Sequence, residues 1–376
     1  MTKILIPIET ASGERRVSAT PAAVKKLKGL GCEVFVESSA GELSGFNDTL
    51  YKESGGEIVG ESNINIWENA DVIFCVQIPS ESNLGKLKKG AILLGLLNPY
   101  ANKKLQNIII SKKISALSME LLPRISRAQS SDVLSSQANI AGYKAVLLAA
   151  SELDRYFPML MTAAGTVQPA KVVVLGGGVA GLQAVATAKR LGAIVFVSDI
   201  RPAVKEQVES LGARFIELPE IDEKPGESGG YAKAVTPEFL SKQKATLTKY
   251  LSEADVAVCT AQVLGKKAPV LIDSYMIEKM RSGAVVIDLA VSQGGNCEGT
   301  KSNETIISNG VKLIGAGELP SSVPYDASTL YAKNLTSLIT PFIKDGVINL
   351  DIEDELISGC LLSDEGVILQ NKVFEK

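Results

Sequence analysis

The sequence predicts an α/β protein with two doubly wound, parallel-sheet domains joined by long helices. Three observations support this prediction. The chain has 376 residues, more than a single hydrophobic core usually holds, so two domains are expected. Short, nearly continuous apolar runs alternate with amphipathic helical patterns, as in parallel sheets covered on both faces. One of these runs, residues 171–175, leads directly into a glycine-rich turn.

The first series of predicted elements covers residues 1–120. Residues 3–6 predict a strand. Thr20 and Pro21 predict the N-cap and first turn of a helix that ends at Gly31. Further strands are predicted where short apolar runs lie between charged residues, Gly or Asn, namely at residues 32–36, 71–76, 91–96, 107–110 and 114–119.

A polar stretch, residues 123–139, interrupts this alternation and leads into a helix with apolar residues through about Leu153. We place the domain boundary within this helix. The predicted N-terminal domain is 1–137, completed by a C-terminal tail, 320–376, and the second domain is 138–319. A long helix is expected at 328–343, strand-like segments at 347–350 and 367–369, and a long mobile loop at 218–235.

The composition excludes several classes of function. Thirty-nine Lys and Arg residues stand against 42 Asp and Glu residues without a long run of one sign, so no nucleic-acid binding is expected. The longest uncharged stretch, residues 172–188, contains four glycines and is shorter than the roughly 20 apolar residues of a spanning helix, so we expect no direct membrane insertion. Five scattered cysteines without a CxxC pair fit a reducing cytosol and predict no metal site.

The chain contains no histidine. Histidine is the usual acid or base near neutral pH and the commonest metal ligand. A catalytic site in this protein therefore uses other groups or needs no proton transfer.

The glycine-rich turn predicts a dinucleotide site of the Rossmann type. Gly176 allows the tight turn, Gly178 lets the backbone approach a pyrophosphate, and Gly181 permits close helix packing. Asp199 follows a second apolar run at about the 20-residue spacing of the acidic ribose ligand, which favours NAD over NADP. Arg201 keeps the NADP alternative open, and a glycine-rich turn without a ligand is the structural alternative.

Further candidate residues lie in loops that follow predicted strands and in the polar stretch. Ligands of doubly wound sheets bind beyond the carboxyl ends of the strands, which indicates the loops at residues 260–262, 293–296 and 315–320. Ordinary surface turns are the alternative there. In the polar stretch, Asp132 and Ser135 would share one helix face, whereas the alternative is that residues 130–132 only cap the helix.

Five motifs together carry a resemblance to the alanine dehydrogenase and proton-translocating transhydrogenase family. They are PRISRAQSSDVLSSQANIAGYKAV, VLGGGVAGLQAVATAKRLGA, SDIRPA, GGYAK and IDLAVSQGGN. Within the family the chain is most similar to the soluble NAD(H)-binding subunits of the bacterial transhydrogenases. The resemblance implies that Arg124, Asp132 and Ser135 contact the nicotinamide carboxamide region, that Gln129 reaches toward a second nucleotide, and that Tyr231 lies at the tip of a loop over the bound nucleotide. The implied NAD(H)-binding residues are Asn139, Gly176, Gly178, Val179, Ala180, Gly181, Asp199, Ile200, Arg201, Gly230, Tyr231, Thr260, Ala261 and Leu289.

The alanine dehydrogenase branch has a substrate site with an arginine, a lysine, a histidine and an aspartate. Arg15 or Arg16 can supply the first group. The lysine position is Gln77, the histidine is missing near residues 96–99, and the aspartate position is Ser292. Oxidative deamination requires proton transfer, so these losses disfavour it. A stand-alone NAD-dependent alanine or other amino-acid dehydrogenase and a non-catalytic NAD(H) sensor remain the alternatives.

The transhydrogenase branch implies direct hydride transfer between NADH and NADP+, which needs positioning rather than an acid or base. Only one dinucleotide fingerprint is present in the sequence, so NADP(H) is expected on a partner subunit. By resemblance we expect a homodimer that joins a membrane-spanning alpha-2 subunit and an NADP-binding beta subunit. The expected location is cytoplasmic and peripheral on the inner membrane, with hydride transfer coupled to proton translocation.

Overall fold

The structure is a computed structural model that describes residues 1–60, 65–100, 102–218, 237–263, 265–370 and 373. The chain divides into two compact units. Unit 1 comprises residues 1–137 and 320–376, and unit 2 comprises residues 138–319. Each unit contains a mainly parallel sheet with helices, which confirms the predicted α/β class.

The described strands, in chain order, are β1 Lys3–Ile6, β2 Glu33–Glu37, β3 Glu57–Val59, β4 Val72–Phe74, β5 Ile92–Gly95, β6 Ser115–Ser118, β7 Leu160–Thr162, β8 Gly165–Val167, β9 Lys171–Leu175, β10 Ile194–Ser198, β11 Arg214–Phe215, β12 Val256–Cys259, β13 Val285–Asp288, β14 Thr305–Ser308, β15 Val311–Gly315, β16 Ile343–Lys344, β17 Val347–Ile348, β18 Leu361–Asp364 and β19 Val367–Ile368. The described α-helices are α1 Pro21–Gly29, α2 Asp48–Glu53, α3 Ile66–Asn69, α4 Glu81–Lys86, α5 Lys103–Lys112, α6 Val133–Glu152, α7 Val179–Arg190, α8 Val204–Ser210, α9 Pro237–Ser252, α10 Ser274–Lys279, α11 Pro324–Ile339 and α12 Glu355–Cys360. Short 3-10 helices occupy Glu42–Ser44, Met119–Leu121, Ser126–Ser131, Val291–Gln293, Leu319–Ser322 and Thr340–Phe342.

The sheet of unit 1 has the strand order β3-β2-β1-β4-β5-β6-β18-β19. Strands β1 to β6 are parallel, and β18 from the C-terminal tail pairs antiparallel with β6. One face of the sheet packs on α1, α11 and α12, and the other packs on α3, α4 and α5. The strand order reverses between β1 and β4, so the crevice typical of ligand binding in such sheets opens at the carboxyl ends of these two strands.

Helix α1 begins as the sequence predicts. The Thr20 side chain accepts a hydrogen bond from the N–H of Ala23, and Pro21 is the first helical residue. Capping by the Thr20 hydroxyl and the fixed φ of proline both favour a helix start at this point.

The strand predicted at residues 107–110 is wrong, because these residues lie in the middle of α5. Leu105 and Ile109 are buried at a helical spacing of four residues, whereas Ile110 is half exposed. Asn102 caps the helix by accepting from the N–H of Leu105. The apolar run is therefore one stripe of an amphipathic helix rather than a buried strand.

The sheet of unit 2 has the strand order β11-β10-β9-β12-β13-β15-β14. Its strands are parallel except for the edge strand β14. Helices α6, α7 and α8 cover one face, and α9 and α10 cover the other. The strand order reverses between β9 and β12, so the carboxyl ends of these strands form the switch point of unit 2.

Unit 2 also carries a two-stranded antiparallel hairpin of β7 and β8, which the sequence does not predict. Leu160 pairs with Val167, and Thr162 pairs with Gly165. The side chain of Met161 is 78% exposed and that of Met159 is 55% exposed. The hairpin therefore presents apolar residues to solvent.

None of the helices in the described ranges combines the length and the apolar character that crossing a bilayer requires. The longest, α6, contains the boundary between the two units at residues 137 and 138.

Candidate functional site

The glycine-rich turn of unit 2 lies at the switch point of its sheet. The Oγ1 hydroxyl of Thr260, directly after β12, donates to the carbonyl oxygens of Gly176 at 2.9 Å and Leu175 at 3.3 Å. These bonds join the end of β12 to the end of β9. The two predicted nucleotide loops are thus neighbours.

Two glycines of the turn are required by its geometry. Gly176 has a φ of +105°, a conformation that side chains of L-residues rarely adopt. A Cβ on Gly181 would lie 1.8 Å from the carbonyl oxygen of Gly176. Gly181 therefore lets the first turn of α7 approach the end of β9 closely.

Gly178 has a different role, because space for a side chain is open there. It is the N-cap residue of α7, its φ of −77° is ordinary, and nothing lies within 4 Å of a Cβ built on it. The first turn of an α-helix leaves N–H groups without intrahelical acceptors, and they attract anions. A bare backbone at the start of α7 thus forms a cradle that fits the pyrophosphate of a dinucleotide.

Asp199 follows β10 and faces the glycine turn. Its carboxylate accepts from the N–H of Gly177 at 2.7 Å and from the backbone and guanidinium of Arg201 at 2.8–2.9 Å. Burial alone would raise the pKa of Asp199, but the hydrogen bonds from Arg201 and Gly177 outweigh burial and hold the pKa below its ordinary value. The side chain is ionised at neutral pH and suits hydroxyl donors.

A buried polar pair supports the loop after β12. Asn296 is fully buried, and its amide accepts from the N–H of Ala261 at 3.0 Å and donates to the carbonyl oxygens of Ala261 at 2.9 Å and Pro269 at 2.8 Å. Asp288, at the end of β13, accepts from the N–H of Asn296 at 2.9 Å and from the hydroxyl of Thr300 at 2.8 Å. This network fixes the backbone of Thr260 and Ala261.

Leu289 directly follows β13 at the same edge of the sheet. Its N–H donates to the carbonyl oxygen of Cys259 at 3.0 Å, and its own carbonyl oxygen accepts from the amide of Gln262 at 2.6 Å. Leu289, Thr260 and Ala261 therefore line one end of the sheet together.

The other predicted nucleotide residues of unit 2 lie on or beside α7. Val179 and Ala180 form its first turn, and a Cβ on Gly142 of α6 would meet the Ala180 carbonyl oxygen at 2.0 Å. The amide of Asn139 on α6 donates to Gln183 of α7 at 3.1 Å. Ile200 is 69% exposed in the loop after Asp199, which leaves its side chain open to a ligand.

The predicted residues Gly230 and Tyr231, and nearly all of the predicted loop at residues 218–235, lie outside the described residues. Their role stays a prediction.

The polar stretch of unit 1 forms a 3-10 helix, Ser126–Ser131, followed by α6. The Asp132 carboxylate accepts from the N–H of Ser135 at 2.9 Å and from its hydroxyl at 2.5 Å. Asp132 thus caps α6, as the structural alternative supposed. Arg124 and Gln129 are exposed and lie on the chain segment before this cap.

Helix α11 supports this stretch from behind. The amide of Asn334 donates to the carbonyl oxygen of Ser130 at 2.8 Å and accepts from the Ser136 hydroxyl at 2.7 Å. The buried amide of Gln137 donates to the carbonyl oxygen of Ala327 at 3.2 Å. The polar stretch is therefore held on both sides of Asp132.

The switch point of unit 1 is filled by its own charged side chains. The buried guanidinium of Arg16 donates to the Glu14 carboxylate at 2.6 and 2.8 Å and to the Gln137 side chain at 2.9 Å. Gln77, beyond β4, donates to Glu14 at 3.1 Å. Glu9, beyond β1, accepts from the N–H groups of Val76 at 2.5 Å and Gln77 at 3.0 Å. These groups satisfy one another.

The two carboxyl groups of this cluster titrate in opposite directions. Burial raises the pKa of Glu9 to about 7, although hydrogen bonds from Val76 and Gln77 oppose the effect. Burial also acts to raise the pKa of Glu14, but the hydrogen bonds and charge of Arg16 outweigh it and lower the pKa.

Three further residues of these sites, Glu9, Asp288 and Gly177, were not predicted from the sequence. A signal existed for Asp288, because an acidic residue that ends a run of buried β-branched residues and precedes two adjacent glycines is placed to accept from a tight loop. No local pattern links Glu9 to residues 76 and 77, because that contact depends on the pairing of β1 with β4.

Both units are thus doubly wound α/β folds, and unit 2 carries the strand–glycine turn–helix and the acidic residue that are typical of dinucleotide-binding proteins. Sequence profiles of the Alanine dehydrogenase/PNT N-terminal and C-terminal domains match residues 5–141 and 145–371. The chain belongs to this family.

Relatives favour one branch of it. The chain is 47% identical over 375 residues to the first part of NAD(P) transhydrogenase subunit alpha of Rhodospirillum rubrum, covering 98% of this chain and 97% of the relative. It is 31% identical to Alanine dehydrogenase 2 of Staphylococcus aureus, covering 89% and 85%. The crystal structure of transhydrogenase from Sinorhizobium meliloti superposes with a TM-score of 0.88 at 40% identity, covering 98% of this chain and 100% of that chain.

Proposed function

We propose that this chain is the NAD(H)-binding catalytic subunit of a proton-translocating transhydrogenase. NADH, when bound, supplies a hydride that passes directly to NADP+ held by a partner subunit. The observation that carries the proposal is the cradle of unit 2, in which the open backbone at Gly178 and the ionised carboxylate of Asp199 lie on either side of one glycine turn. We assign NAD(H) binding to unit 2, residues 138–319.

In this proposal the chain's residues bind and orient the nucleotide. The N–H groups at the start of α7 hold the pyrophosphate, Asp199 accepts from the adenosine ribose, and Thr260, Ala261 and Leu289 shape the floor of the crevice.

The polar stretch of unit 1 supplies the remaining positioning groups. We assign contacts with the nicotinamide carboxamide to Arg124, Asp132 and Ser135, and contact with the second nucleotide to Gln129. Support comes from the exposure of Arg124 and Gln129, while Asn334 and Gln137 fix the backbone beneath them. Hydride transfer between two aligned rings needs no acid or base, so a site without histidine is adequate.

The structure of unit 1 argues against an amino-acid substrate. A substrate carboxylate at Arg16 would have to displace Glu14, which already forms a two-pronged ion pair with the guanidinium. Gln77 donates to the same Glu14 carboxylate. Breaking a buried ion pair is costly because it leaves a charge without a partner. Arg15 is exposed and lies outside this buried cluster.

We further propose that the chain forms a homodimer, with the β7–β8 hairpin as part of the contact. Exposed apolar side chains at Met159, Met161 and Tyr156 support this, because solvent-exposed apolar groups close together are typical of interfaces. The proposed partners are a membrane-spanning alpha-2 subunit and an NADP-binding beta subunit, which would place the chain on the cytoplasmic side of the inner membrane.

The proposal is tested by measuring NADH binding and transfer separately. NADH affinity is measured by fluorescence titration, and transfer is measured from NADH to an NADP+ analogue with an NADP-binding subunit added. Asp199→Ala should weaken NADH binding about tenfold or more, because two charge-assisted hydrogen bonds are lost. Gln129→Ala should keep the dissociation constant within about twofold and slow transfer about tenfold or more.

Arg127→Ala is the matched control, because Arg127 lies in the same 3-10 helix but pairs with Asp354. It should leave both quantities near the wild-type values. Binding without transfer in the wild type would favour an NAD(H) sensor. Reductive amination of pyruvate by the chain alone would instead establish an alanine dehydrogenase.

A further inference from the structure

The carboxylate of Asp199 has no acceptor position left. Oδ1 accepts from the N–H of Arg201 at 2.8 Å and from its Nε at 2.9 Å. Oδ2 accepts from the N–H of Gly177 at 2.7 Å and from a terminal guanidinium nitrogen of Arg201 at 2.8 Å. A carboxylate offers about four lone-pair positions, so all of them are in use.

A ribose diol donates two hydroxyl protons and needs two of these positions. Two of the four bonds come from backbone N–H groups of the glycine turn and the loop after β10, which the local fold holds in place. The other two come from the side chain of Arg201. The backbone bonds leave one position on each carboxylate oxygen, and the guanidinium fork fills both.

The Arg201 side chain is free to leave. It is 58% exposed, whereas the Asp199 side chain beneath it is only 6% exposed. Exposed ion pairs of this kind are weak, so a ligand that offers two donors in the same geometry can replace the guanidinium.

We propose that Arg201 is a specificity-determining residue of the nucleotide site, because its guanidinium occupies the position of the adenosine ribose diol until the nucleotide displaces it. This inference rests on the proposed binding of NAD(H) to unit 2. Arg201 competes with NADH for Asp199 and lowers the affinity of the site. Once displaced, it remains two residues from Asp199, where its charge is placed to attract a 2′-phosphate and so reduces discrimination against NADP(H).

The deciding variant is Arg201→Met, which keeps an unbranched apolar side chain and removes the donors. NADH should bind about three- to tenfold more tightly, since the competing ion pair is gone. NADPH should not gain affinity, since the cation near the 2′-phosphate is also lost. The ratio of the two dissociation constants should therefore widen by at least about threefold.

The control is Lys205→Met, which removes a neighbouring positive charge that pairs with Glu217 rather than Asp199. Its NADH affinity should stay within about twofold of the wild type. In an Asp199→Ala background the gain from Arg201→Met should disappear, because the two residues act through the same bonds.

All variants are titrated with NADH and NADPH by fluorescence, and their melting temperatures are measured to verify folding. Unchanged or weaker NADH binding by Arg201→Met would overturn the proposal, as would an equal gain for NADPH. Failure of the wild type to bind NADH would instead contradict the proposed function, so the two failures are distinguishable.

Discussion

The hydroxyl of Thr260 donates a 2.9 Å hydrogen bond to the carbonyl oxygen of Gly176, and so ties together the two strand ends between which the unit 2 sheet reverses its order. A Cβ on Gly176 would lie 2.7 Å from the same hydroxyl oxygen. The side chain of one strand end thus fits against the bare backbone of the other. This contact determines how closely the glycine turn and the Thr260 loop approach, and therefore the shape of the nucleotide crevice.

Gly178 and Gly181 should respond differently to alanine. Gly178→Ala should change the free energy of unfolding by less than about 0.5 kcal/mol, because its Cβ meets open space, but should weaken NADH binding about tenfold by narrowing the anion cradle. Gly181→Ala should lose about 3 kcal/mol or fail to fold, because its Cβ overlaps the Gly176 carbonyl. Urea unfolding and NADH titration measure both effects. Equal loss of stability in the two variants would contradict this assignment.

Asn296→Ala should lower the free energy of unfolding by about 3–5 kcal/mol. It leaves the N–H and carbonyl of Ala261 and the carbonyl of Pro269 without their partner, and each buried unpaired group costs about 1–3 kcal/mol. Ser210→Ala, at an exposed hydroxyl of the same unit, is the control and should stay within about 0.5 kcal/mol. Chemical denaturation provides the measurement, and a small loss for Asn296→Ala would show that its network is not needed for folding.

Glu9 should make the protein less stable as the pH rises from about 4.5 to about 7. Its folded-state pKa is raised to about 7 from the ordinary value of 4.5, so the folded chain binds a proton that the unfolded chain has released. The stabilisation is complete below pH 4.5 and is lost as the pH passes 7, by up to about 3 kcal/mol.

Comparison with Glu9→Gln across pH 4.5–8 isolates this effect, because the variant lacks the titrating group. Glu14 acts in the opposite sense: its lowered pKa gives stability that is present above 4.5 and lost at lower pH. Parallel curves for the wild type and Glu9→Gln would contradict the raised pKa.

Met161→Asp should convert the proposed dimer into a monomer. The side chain is 78% exposed on the β7–β8 hairpin, and a charge buried in an apolar contact is strongly unfavourable. Ile307→Asp places the same charge at another exposed apolar position of unit 2 and should remain dimeric. Light scattering after gel filtration gives the mass, and an unchanged dimer for Met161→Asp would exclude the hairpin from the contact.

The predictable parts of the fold are those encoded by local chemistry. Thr20 and Pro21 encode the start of α1, and the apolar run at residues 171–175 followed by glycines encodes the central strand and turn of unit 2. Local patterns do not distinguish a buried strand from one helical stripe, so the strand prediction at residues 107–110 is wrong. The β7–β8 hairpin and the pairing of β18 with β6 were not predicted either. The second depends on a contact between distant segments.

The candidate site shows the same division. The positions of Gly176 and Gly181 follow from the fingerprint. The saturation of Asp199 by Arg201 does not, because two residues of the same segment contact each other only in one backbone conformation. Asn296 reaches Ala261 across 35 positions of sequence, which no local pattern predicts.

Glu9, Glu14 and Arg16 give unit 1 its own internal counter-ions. A fold that neutralises its crevice with residues of its own does not depend on a metabolite for stability. Small carboxylic acids in the cell therefore have little leverage on this half of the protein. Its melting behaviour should be indifferent to pyruvate or alanine at concentrations at which dinucleotides stabilise unit 2.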